Sequence, residues 1–460
     1  MMLPANNARD VAVLALRDRA GNVTAHLDRL LGQAAFGQQE KALARELALG
    51  ALRRRGTLDA VLSAFLRDPQ RRLPAPLTEI LHVALYQLLF LQRVPDFAAV
   101  DEAVKQASAF HHHRQAGMVN GLLRTVTRNL AGKVAGPLPP PAADLIPVAP
   151  DLAVRFLRPV LPDPRQHPAE YLAAAYSLPL DLTDRWLQRL GTDKAAEVAL
   201  HAAARAPLIV RVNALAGDLE QARAALAAEG VAARPHANGA SLVLEGHLNV
   251  AELRAFQSGL LQPQDPTATA VVLAAAPQPG TKVLDFCAAP GTKTTHLAER
   301  MGNRGQIVAA DVSAEKLQRI EDNCRRMGVT IVQTVLAGQV AALPMGSFDL
   351  VLVDAPCSNT GVLARRAEAR WRFDEPSLGD LARDQLLLAG MAGQFLRPGG
   401  RLVYSTCSIE PEENEQVARR LTQRQPALSL IHEQLTLPAG AGEEASWHDG
   451  GYVAIFQARR

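Results

Sequence analysis

The chain has 460 residues, of which 48% are hydrophobic and 21% are charged. A chain of this length and composition can bury large cores, so it is globular rather than disordered, and we expect two to four domains. Its four cysteines lie between residues 287 and 407 without a Cys-x-x-Cys pair. This spacing indicates reduced thiols and argues against a disulfide scaffold or a zinc site.

Neither a membrane span nor an export signal is indicated. No window approaches 18 uninterrupted apolar residues, and residues 1–10 lack a basic stretch followed by an apolar core. We expect a cytoplasmic protein with no membrane partner and no metal. We also expect the chain to be a monomer.

The positive charge is concentrated at the N-terminus. The whole chain carries a net charge of only +3, but residues 1–135 hold 18 Lys and Arg against 11 Asp and Glu. Arg53-Arg54-Arg55 and Arg71-Arg72 are the densest clusters. They favour a polyanionic partner such as RNA, with a solvated helical surface as the alternative.

Residues 1–135 are predicted to form an all-α domain. Apolar residues recur at helical spacing, and Ile80 to Leu91 is apolar enough for a central buried helix. His111, His112 and His113 suggest a metal site, but three adjacent residues on a helix point in different directions. We interpret them as a solvated helix end.

A linker and a small subdomain are predicted next. Residues 137–168 contain ten of the 30 prolines, a density that disfavours regular helix or central strand, so residues 136–168 are assigned to a semi-extended linker. Residues 169–255 mix helices with short strands such as Leu208–Val212. They are predicted to form a small α/β, RNA-binding subdomain.

Residues 256–460 are predicted to form a Rossmann-like, doubly wound α/β domain. Apolar strand-like runs alternate with helical segments, and this alternation is typical of a mostly parallel sheet with ligand sites at the strand C-termini. The predicted strands are Val283–Phe286, Gln306–Ala310, Ile331–Leu336, Phe348–Val353 and Arg401–Tyr404.

The first of these strands leads into a candidate cofactor loop. It runs into Cys287-Ala288-Ala289-Pro290-Gly291-Thr292-Lys293 and then into a helix. Small residues allow close approach of a ligand, and a helix N-terminus offers unpaired N–H groups. Asp311 ends the second strand, where a carboxylate can accept both ribose hydroxyls. The pattern favours an adenosine-type cofactor over a structural turn, and it lacks the dinucleotide and triphosphate signatures.

Three segments carry a family resemblance. Cys287 to Lys293, Asp354-Ala-Pro-Cys-Ser-Asn-Thr-Gly361 and Tyr404-Ser-Thr-Cys-Ser-Ile-Glu-Pro-Glu-Glu-Asn414 together resemble S-adenosylmethionine-dependent RNA 5-methylcytosine methyltransferases, over about residues 160–460. The N-terminal part resembles NusB-like RNA-binding domains, through Pro95 and the segment from Met118 to Arg124. The combination is similar to the methyltransferases of this family that act on small-subunit ribosomal RNA.

The resemblance implies roles for three residues. Cytosine C5 is a weak nucleophile until a thiolate adds to C6, and Cys407 matches the family's nucleophile. Asp354 ends a strand, where it can hydrogen-bond the N3 side of cytosine or cap the following turn, and its family role also involves the cofactor. Cys357 matches the second cysteine, which is implied to help release the nucleophile. The alternative for Cys357 is a structural thiol.

Several charged residues lie beside these motifs. Lys293 can pair with a carboxylate near the ligand. A basic segment that suits phosphate contacts follows the Asp354 motif, and its members are Arg365, Arg366, Arg370 and Arg372. Each of these arginines taken singly fits a surface residue better than a specific contact. Trp371, among them, is favoured to pack rather than to stack on a base.

Two positions depart from the family pattern. Thr292 stands where a second glycine is usual, and Ala337 stands where the third strand usually carries an acid facing the adenine. The first change is tolerable, but the second removes a charge-assisted hydrogen bond.

The sequence therefore predicts an S-adenosylmethionine-dependent RNA cytosine-C5 methyltransferase that acts on small-subunit ribosomal RNA through Cys407. Transfer RNA is the alternative substrate. The alternative from another class is an RNA-binding assembly factor with a weak or lost activity, which Ala337 favours and the intact Cys407, Cys357 and Asp354 set disfavours.

Overall fold

A computed structural model describes residues 6–17, 22–68, 73–74, 76–110, 113–246 and 248–459, without the side chains of residues 113 and 114. Arg71, Arg72, His111 and His112 lie outside the described residues. Two compact units are present: the described part of Met1–Arg205 with Leu363–Phe373, and the described part of Ala206–Val362 with Asp374–Arg460.

The first unit is largely helical. Its helices are α1 (Ala8–Leu16), α2 (Val23–Gln33), α3 (Gln38–Arg53), α4 (Arg55–Phe65), α5 (Leu77–Phe90), α6 (Asp96–Ala109), α7 (His113–Arg128), α8 (Pro168–Tyr176), α9 (Leu180–Leu190) and α10 (Thr192–Ala203). Eleven of the 14 residues of α5 are buried, which confirms the predicted central helix. The all-α character of the N-terminal domain is confirmed for the described residues up to Arg128, but residues 130–135, which were also assigned to it, form a strand.

The proline-rich segment is not simply semi-extended, and that prediction was wrong. The strands β1 (Leu130–Ala135), β2 (Leu145–Ala149) and β3 (Leu152–Phe156) form an antiparallel sheet in the order β1-β3-β2. Pro147 lies inside β2, which is an edge strand of this sheet. Proline is compatible with an edge because no neighbour needs its missing N–H on the outer side.

Two arginines assigned to RNA or to the surface are buried inside the first unit. Arg370 is 0% exposed and donates hydrogen bonds to backbone carbonyls, including those of Arg53, Ser177 and Ala202 at 3.0, 2.9 and 2.7 Å. Arg54 is 3% exposed and donates to Val148 O at 2.8 Å. A phosphate cannot reach either guanidinium, so these two assignments were wrong.

The neighbours of these arginines behave differently. Arg365, Arg366 and Arg372 are exposed, and Trp371 is half-buried, with its Nε1 donating to Leu52 O at 3.4 Å. The side chain of Arg55 is 54% exposed. The predicted packing of Trp371 therefore holds, and the exposed arginines stay candidates for phosphate contacts.

The second unit begins with a small antiparallel sheet. Its strands are β4 (Leu208–Val212), β5 (Ala233–Pro235), β6 (Ser241–Leu244) and β7 (Leu261–Pro263), in the order β5-β6-β4-β7. Two helices accompany them, α11 (Leu219–Ala228) and α12 (Arg254–Gln257). Asp218 caps α11 through a reciprocal hydrogen-bond pair with Gln221, which fixes where that helix starts.

The rest of the second unit is a seven-stranded sheet in the order β10-β9-β8-β11-β12-β14-β13. Its strands are β8 (Lys282–Asp285), β9 (Gln306–Asp311), β10 (Val332–Leu336), β11 (Phe348–Asp354), β12 (Leu396–Thr406), β13 (Leu428–Thr436) and β14 (Gly451–Ala458). The first five strands of that order are parallel, and β14 is antiparallel to both of its neighbours, β12 and β13. The predicted doubly wound sheet is confirmed.

Helices cover both faces of this sheet. They are α13 (Pro266–Ala275), α14 (Thr292–Arg300), α15 (Ala314–Arg326), α16 (Glu375–Gly393) and α17 (Glu415–Arg424). Residues of α13, α14 and α15 share one buried apolar cluster with the sheet, and residues of α16 and α17 share the other. In the part of the chain that the structure describes, no helix has the length and apolar character needed to cross a membrane.

Candidate active site

Five segments with candidate site residues meet at one edge of the large sheet. The C-terminal ends of neighbouring parallel strands lie at the same edge, which is where α/β proteins bind ligands. Asp285 ends β8, Asp311 ends β9 and Asp354 ends β11. In the strand register Asp354 faces Ser405, two residues before Cys407, and Asp311 faces Leu336, one residue before Ala337. The sheet thus brings the separate motifs together.

The two cysteines are in contact. The Sγ atoms of Cys357 and Cys407 lie 3.1 Å apart. The loops that carry them are joined by backbone hydrogen bonds, because Ala355 N donates to Ser405 O at 2.9 Å and Gly361 N donates to Cys407 O at 3.0 Å. The sequence motifs predicted both residues, and the structure adds that they form a pair.

Gly361 allows this close approach. A Cβ atom at this position would lie 2.6 Å from the carbonyl carbon and oxygen of Gly450 and 2.8 Å from Cys407 O. Those neighbours are backbone atoms and cannot rotate away. Glycine is therefore required for the two loops to pack.

The thiol of Cys357 keeps its proton at neutral pH. The hydrogen bond with Cys407, then burial, then the electrostatic effects of Cys407 and of Glu413 raise the pKa of the Cys357 thiol well above its usual value. At neutral pH its S–H group is available as a donor to the sulfur of Cys407.

A buried carboxylate beneath the loops was not singled out from the sequence. Glu413 is 0% exposed, and its Oε1 accepts from Ser358 N and from Gln385 Nε2, both at 2.9 Å. The hydroxyl of Tyr404 donates to Glu413 O at 2.6 Å. Glu413 stands in the Glu-Pro-Glu-Glu-Asn motif, but nothing in the sequence distinguished it from its neighbour Glu412. It fastens the Cys357 loop to the Cys407 loop.

Asp354 is held by an ion pair. Its Oδ2 accepts from Lys293 Nζ at 2.7 Å and its Oδ1 accepts from Ser405 Oγ at 2.8 Å. Burial opposes the charge of Lys293, but Asp354 and, more weakly, the sulfur of Cys407 together raise the pKa of the Lys293 ammonium group. The predicted partner of Lys293 is therefore the candidate catalytic carboxylate itself.

The candidate cofactor loop ends at a helix N-terminus that no side chain caps. Gly291 has φ +96° and is the N-cap of α14, without a side-chain hydrogen bond to the first turn. Thr292, in place of the usual glycine, is the first residue of that helix. The N–H groups of the first turn can therefore serve a ligand.

Asp285 lies two residues before this loop and is buried. Thr294 Oγ1 donates to its Oδ2 at 2.7 Å, whereas its Oδ1 has no partner among the described residues. Burial raises the pKa of the Asp285 carboxyl to about 7. An unpaired buried carboxyl oxygen is costly, and it indicates a polar partner such as a ligand or a water molecule.

Asp311 stays ionised. Its pKa is held below the usual value although burial opposes this, because the carboxylate accepts from Ala289 N, from Lys316 Nζ and from Val312 N. Next to it the side chain of Val312 is 73% exposed, and Leu336, at the end of β10, is 38% exposed. An anion beside two exposed apolar groups suits the ribose and the flat ring of an adenosine.

Two other predicted residues lie at this edge. Burial raises the pKa of the Cys287 thiol to about 12, so this cysteine is unsuited to act as a thiolate at neutral pH. Ala337 opens a short 3-10 turn, where Gln339 Oε1 accepts from Leu336 N at 3.2 Å. No group of three or more His, Cys, Asp or Glu side chains able to hold a metal occurs in the described ranges.

Three family models match successive parts of the chain. Residues 271–449 match 16S rRNA methyltransferase RsmB/F, residues 6–128 match the NusB family, and residues 178–251 match the ferredoxin-like domain of RsmF/B-like methyltransferases. The ribosomal RNA small subunit methyltransferase B of Vibrio cholerae is 31% identical, over 91% of this chain and 89% of that protein. The chain belongs to the RsmB/F methyltransferase family.

Further similarities agree with membership in the RsmB/F family. The ribosomal RNA small subunit methyltransferase B of Shigella flexneri is 31% identical, over 85% of this chain and 84% of that protein. The crystal structure of PH0851 has the same fold, with a TM-score of 0.74, 24% identity and 99% of each chain covered. Like the rest of the RsmB/F family, the chain is an S-adenosylmethionine-dependent RNA methyltransferase, and the small subdomain is ferredoxin-like.

The residues at the sheet edge fit this cofactor. Hydrogen-bond donors are offered by the uncapped start of α14. Acceptors are offered by the unpaired oxygen of Asp285 and by the ionised Asp311, at the ends of the neighbouring strands β8 and β9. This set suits a zwitterionic nucleoside derivative and not a polyphosphate, since acidic side chains predominate over cations.

Proposed function

We propose that this protein transfers a methyl group from S-adenosylmethionine to C5 of a cytosine in small-subunit ribosomal RNA, through a covalent bond between Cys407 and C6. The relatives named above support the substrate class. The observation that carries the chemistry is the Cys357–Cys407 contact at 3.1 Å beside the Lys293–Asp354 pair. A buried structural cysteine would need neither neighbour.

Cys407 performs the first step. Its sulfur, as a thiolate, forms a bond to C6 of the cytosine, and the electrons of the C5–C6 double bond move toward N3. C5 thereby becomes nucleophilic enough to accept a methyl group.

The ion pair acts on the opposite side of the ring. N3 takes up a proton from solvent, which balances the proton that the Cys407 thiol has lost, and the carboxylate of Asp354 accepts the hydrogen bond of this N3–H group. Lys293, 2.7 Å from Asp354, pairs with that carboxylate and offsets negative charge near the sulfur.

The loop from Cys287 to Lys293, Asp311 and Asp354 are the residues proposed to hold S-adenosylmethionine. When bound, this cofactor supplies an electrophilic methyl group. The loop and the start of α14 orient it by backbone N–H groups, and Asp311 accepts hydrogen bonds from its ribose.

Cys357 acts at the end of the reaction. After a water molecule has taken the C5 proton, the C6–S bond breaks, the electron pair returns to the sulfur of Cys407, and N3 gives up the proton that it took up in the first step. The thiol of Cys357 keeps its proton and lies within hydrogen-bond distance of that sulfur, so it can stabilise the departing thiolate.

RNA binding is proposed for two regions. Residues 1–135 correspond to the part that matches the NusB family, and residues 169–255 include the ferredoxin-like match. The exposed Arg55 and Arg372 are candidates for phosphate contacts. Arg54 and Arg370 are excluded from this role by their burial.

Two cysteine variants test the proposal. Cys407→Ser should abolish 5-methylcytosine formation, measured by bisulfite sequencing of ribosomal and transfer RNA from cells that carry only the variant. Cys357→Ser should accumulate a covalent protein–RNA adduct on denaturing gels under turnover conditions, and buried Cys324→Ser is the matched control. Normal methylation by a folded Cys407→Ser protein would refute the covalent route, and methylation of transfer RNA alone would refute the ribosomal substrate.

A further inference from the structure

Asn359 contacts both cysteines of the candidate site. Its Nδ2 donates to Cys357 O at 2.7 Å, and its Oδ1 lies 3.3 Å from Cys407 Sγ, positioned to accept from that thiol. Its backbone N–H is directed at the sulfur of Cys357. No motif reasoning had singled out this residue.

The backbone holds Asn359 firmly in this position. Its φ is +64°, in the left-handed region that asparagine enters more readily than most non-glycine residues, and the surroundings keep it there. The surroundings do so on both sides: Ser358 is fastened to Glu413, and Thr360 Oγ1 accepts from Ile409 N at 3.0 Å. The amide is thus presented to Cys407 by a clamped loop.

The orientation of the amide determines what it does to the sulfur. Because Cys357 O holds the NH₂ group, it is the oxygen that faces Cys407. A carbonyl oxygen stabilises an S–H group as its acceptor but repels a thiolate. The hydrogen bonds then run in one direction, from Cys357 S–H to Cys407 and from Cys407 S–H to Asn359.

The other groups near Cys407 either favour its thiolate form or have a weaker effect on its proton. Lys293 on α14 favours the thiolate, but its charge is shared with Asp354 on β11, 2.7 Å away. Cys357 is a neutral donor, and Glu413 acts on Cys357 from beneath the loop. Among these groups, the Asn359 oxygen is the one that accepts a hydrogen bond directly from the Cys407 thiol.

We propose that Asn359 holds the proton on Cys407 while no RNA is bound, and so keeps the nucleophile unreactive toward electrophiles other than the target base. This proposal rests on the proposed function, because protecting Cys407 matters only if Cys407 is the nucleophile. Before Cys407 adds to C6, its thiol must lose its proton to solvent water, and the hydrogen bond to the Asn359 oxygen must break; the amide can then turn its NH₂ group toward the sulfur. In this role Asn359 contacts the reacting atom, the sulfur of Cys407, directly.

Alkylation of the full-length protein by iodoacetamide tests this proposal. Trypsin leaves each cysteine on a separate peptide, since Lys or Arg residues divide positions 287, 324, 357 and 407, so mass spectrometry follows Cys407 alone. Asn359→Gly suits the left-handed backbone and removes the acceptor. In this variant iodoacetamide should alkylate Cys407 about twofold to tenfold faster than in wild type at pH 7, the range expected for one neutral hydrogen bond.

Two further variants make the result decisive. Asn359→Asp keeps the shape and adds a negative charge, so Cys407 should react more slowly than in wild type. Asn303→Gly is the matched control, because Asn303 is also left-handed, at φ +54°, and hydrogen-bonds Gly328 O and Thr330 N away from the cysteines. It should react like wild type.

An unchanged or slower rate in Asn359→Gly, with a normal Asn303→Gly, would overturn the proposal. That failure is distinct from a failure of the proposed function. Iodoacetamide reports the state of the Cys407 sulfur whether or not RNA forms an adduct with it, whereas the Cys407→Ser methylation assay reports the adduct chemistry alone.

Discussion

Single residues at the sheet edge differ sharply in protonation although they lie close together. Asp311 is ionised through three donors, whereas Asp285 has a pKa near 7 because burial outweighs its one donor. Cys357 keeps its proton, and Lys293 keeps its charge. One small region therefore holds both neutral and charged groups, as acid–base chemistry at neutral pH requires.

Asp285 makes the stability of the protein depend on pH. Its folded pKa of about 7 lies above the ordinary value of 3.8, so its contribution to stability is full below about pH 4 and is lost as the pH rises to about 7. Asp285→Asn removes this dependence. The thermal midpoint of the variant relative to wild type should rise between pH 5 and pH 7.5 without cofactor. A constant difference over that interval would show that Asp285 does not titrate there.

Ala337 tests how the adenine end is held. Ala337→Asp should tighten S-adenosylmethionine binding by about 1.5–3 kcal/mol, or roughly tenfold to a hundredfold, because it supplies a charged acceptor where only Ala337 and the Gln339 turn now stand. Calorimetric titration measures this directly. Ala341→Asp, at an exposed position of the same turn, is the control.

An unchanged affinity in a folded Ala337→Asp protein would mean that another group already fills this role. Ala337 would then be no argument for a weak or inactive enzyme. The assembly-factor alternative would lose the feature that favoured it.

Among the elements, the paired loops after β11 and β12 form the proposed catalytic centre. Gly361→Ala would force a Cβ against the backbone of Gly450 and Cys407, so the two loops must separate. We expect a loss of about 1–3 kcal/mol of stability and a large loss of methylation. Gly379→Ala in α16 is the matched control, since no atom lies within 4 Å of its added Cβ. Normal methylation by Gly361→Ala would show that the Cys357–Cys407 contact is dispensable.

The sequence predicted these elements well where short stretches of sequence determine the structure. Strand-ending motifs could be assigned to one edge because all parallel strands end there, which is why Cys287, Asp311, Asp354 and Cys407 were found together. The choice of Asp354 as the partner of Lys293 was not predictable, because several carboxylates end strands at that edge. The proline density led to the wrong prediction of a semi-extended linker, because an edge strand tolerates Pro147.

At the scale of the whole molecule, a segment from the middle of the methyltransferase sequence belongs to the first unit. Leu363–Phe373 follows directly after the Cys357 loop in sequence, and Arg370 fixes it through backbone carbonyls of that unit. Sequence reasoning missed this, because an arginine is exposed far more often than buried and no carboxylate marks the partner.

Arg370 should therefore matter for stability and Arg372 for RNA. Arg370→Met leaves several buried carbonyl groups without donors, and we expect a loss of about 2–4 kcal/mol, seen as faster amide exchange in residues 363–373 and in α10. Arg372→Met, at an exposed site two residues away, should leave exchange unchanged and lower RNA affinity more at low salt than at high salt. Equal exchange in the two variants would contradict the anchoring role.

The most direct test of the central claim is to trap the covalent intermediate. RNA that carries 5-fluorocytosine at the target position should form an adduct that cannot resolve, because fluorine at C5 cannot leave as a proton does. Digestion and mass spectrometry should find the nucleotide on Cys407, in the tryptic peptide of residues 402–419. An adduct on Cys357, or no adduct with an RNA that is otherwise methylated, would contradict the assignment of Cys407 as the nucleophile.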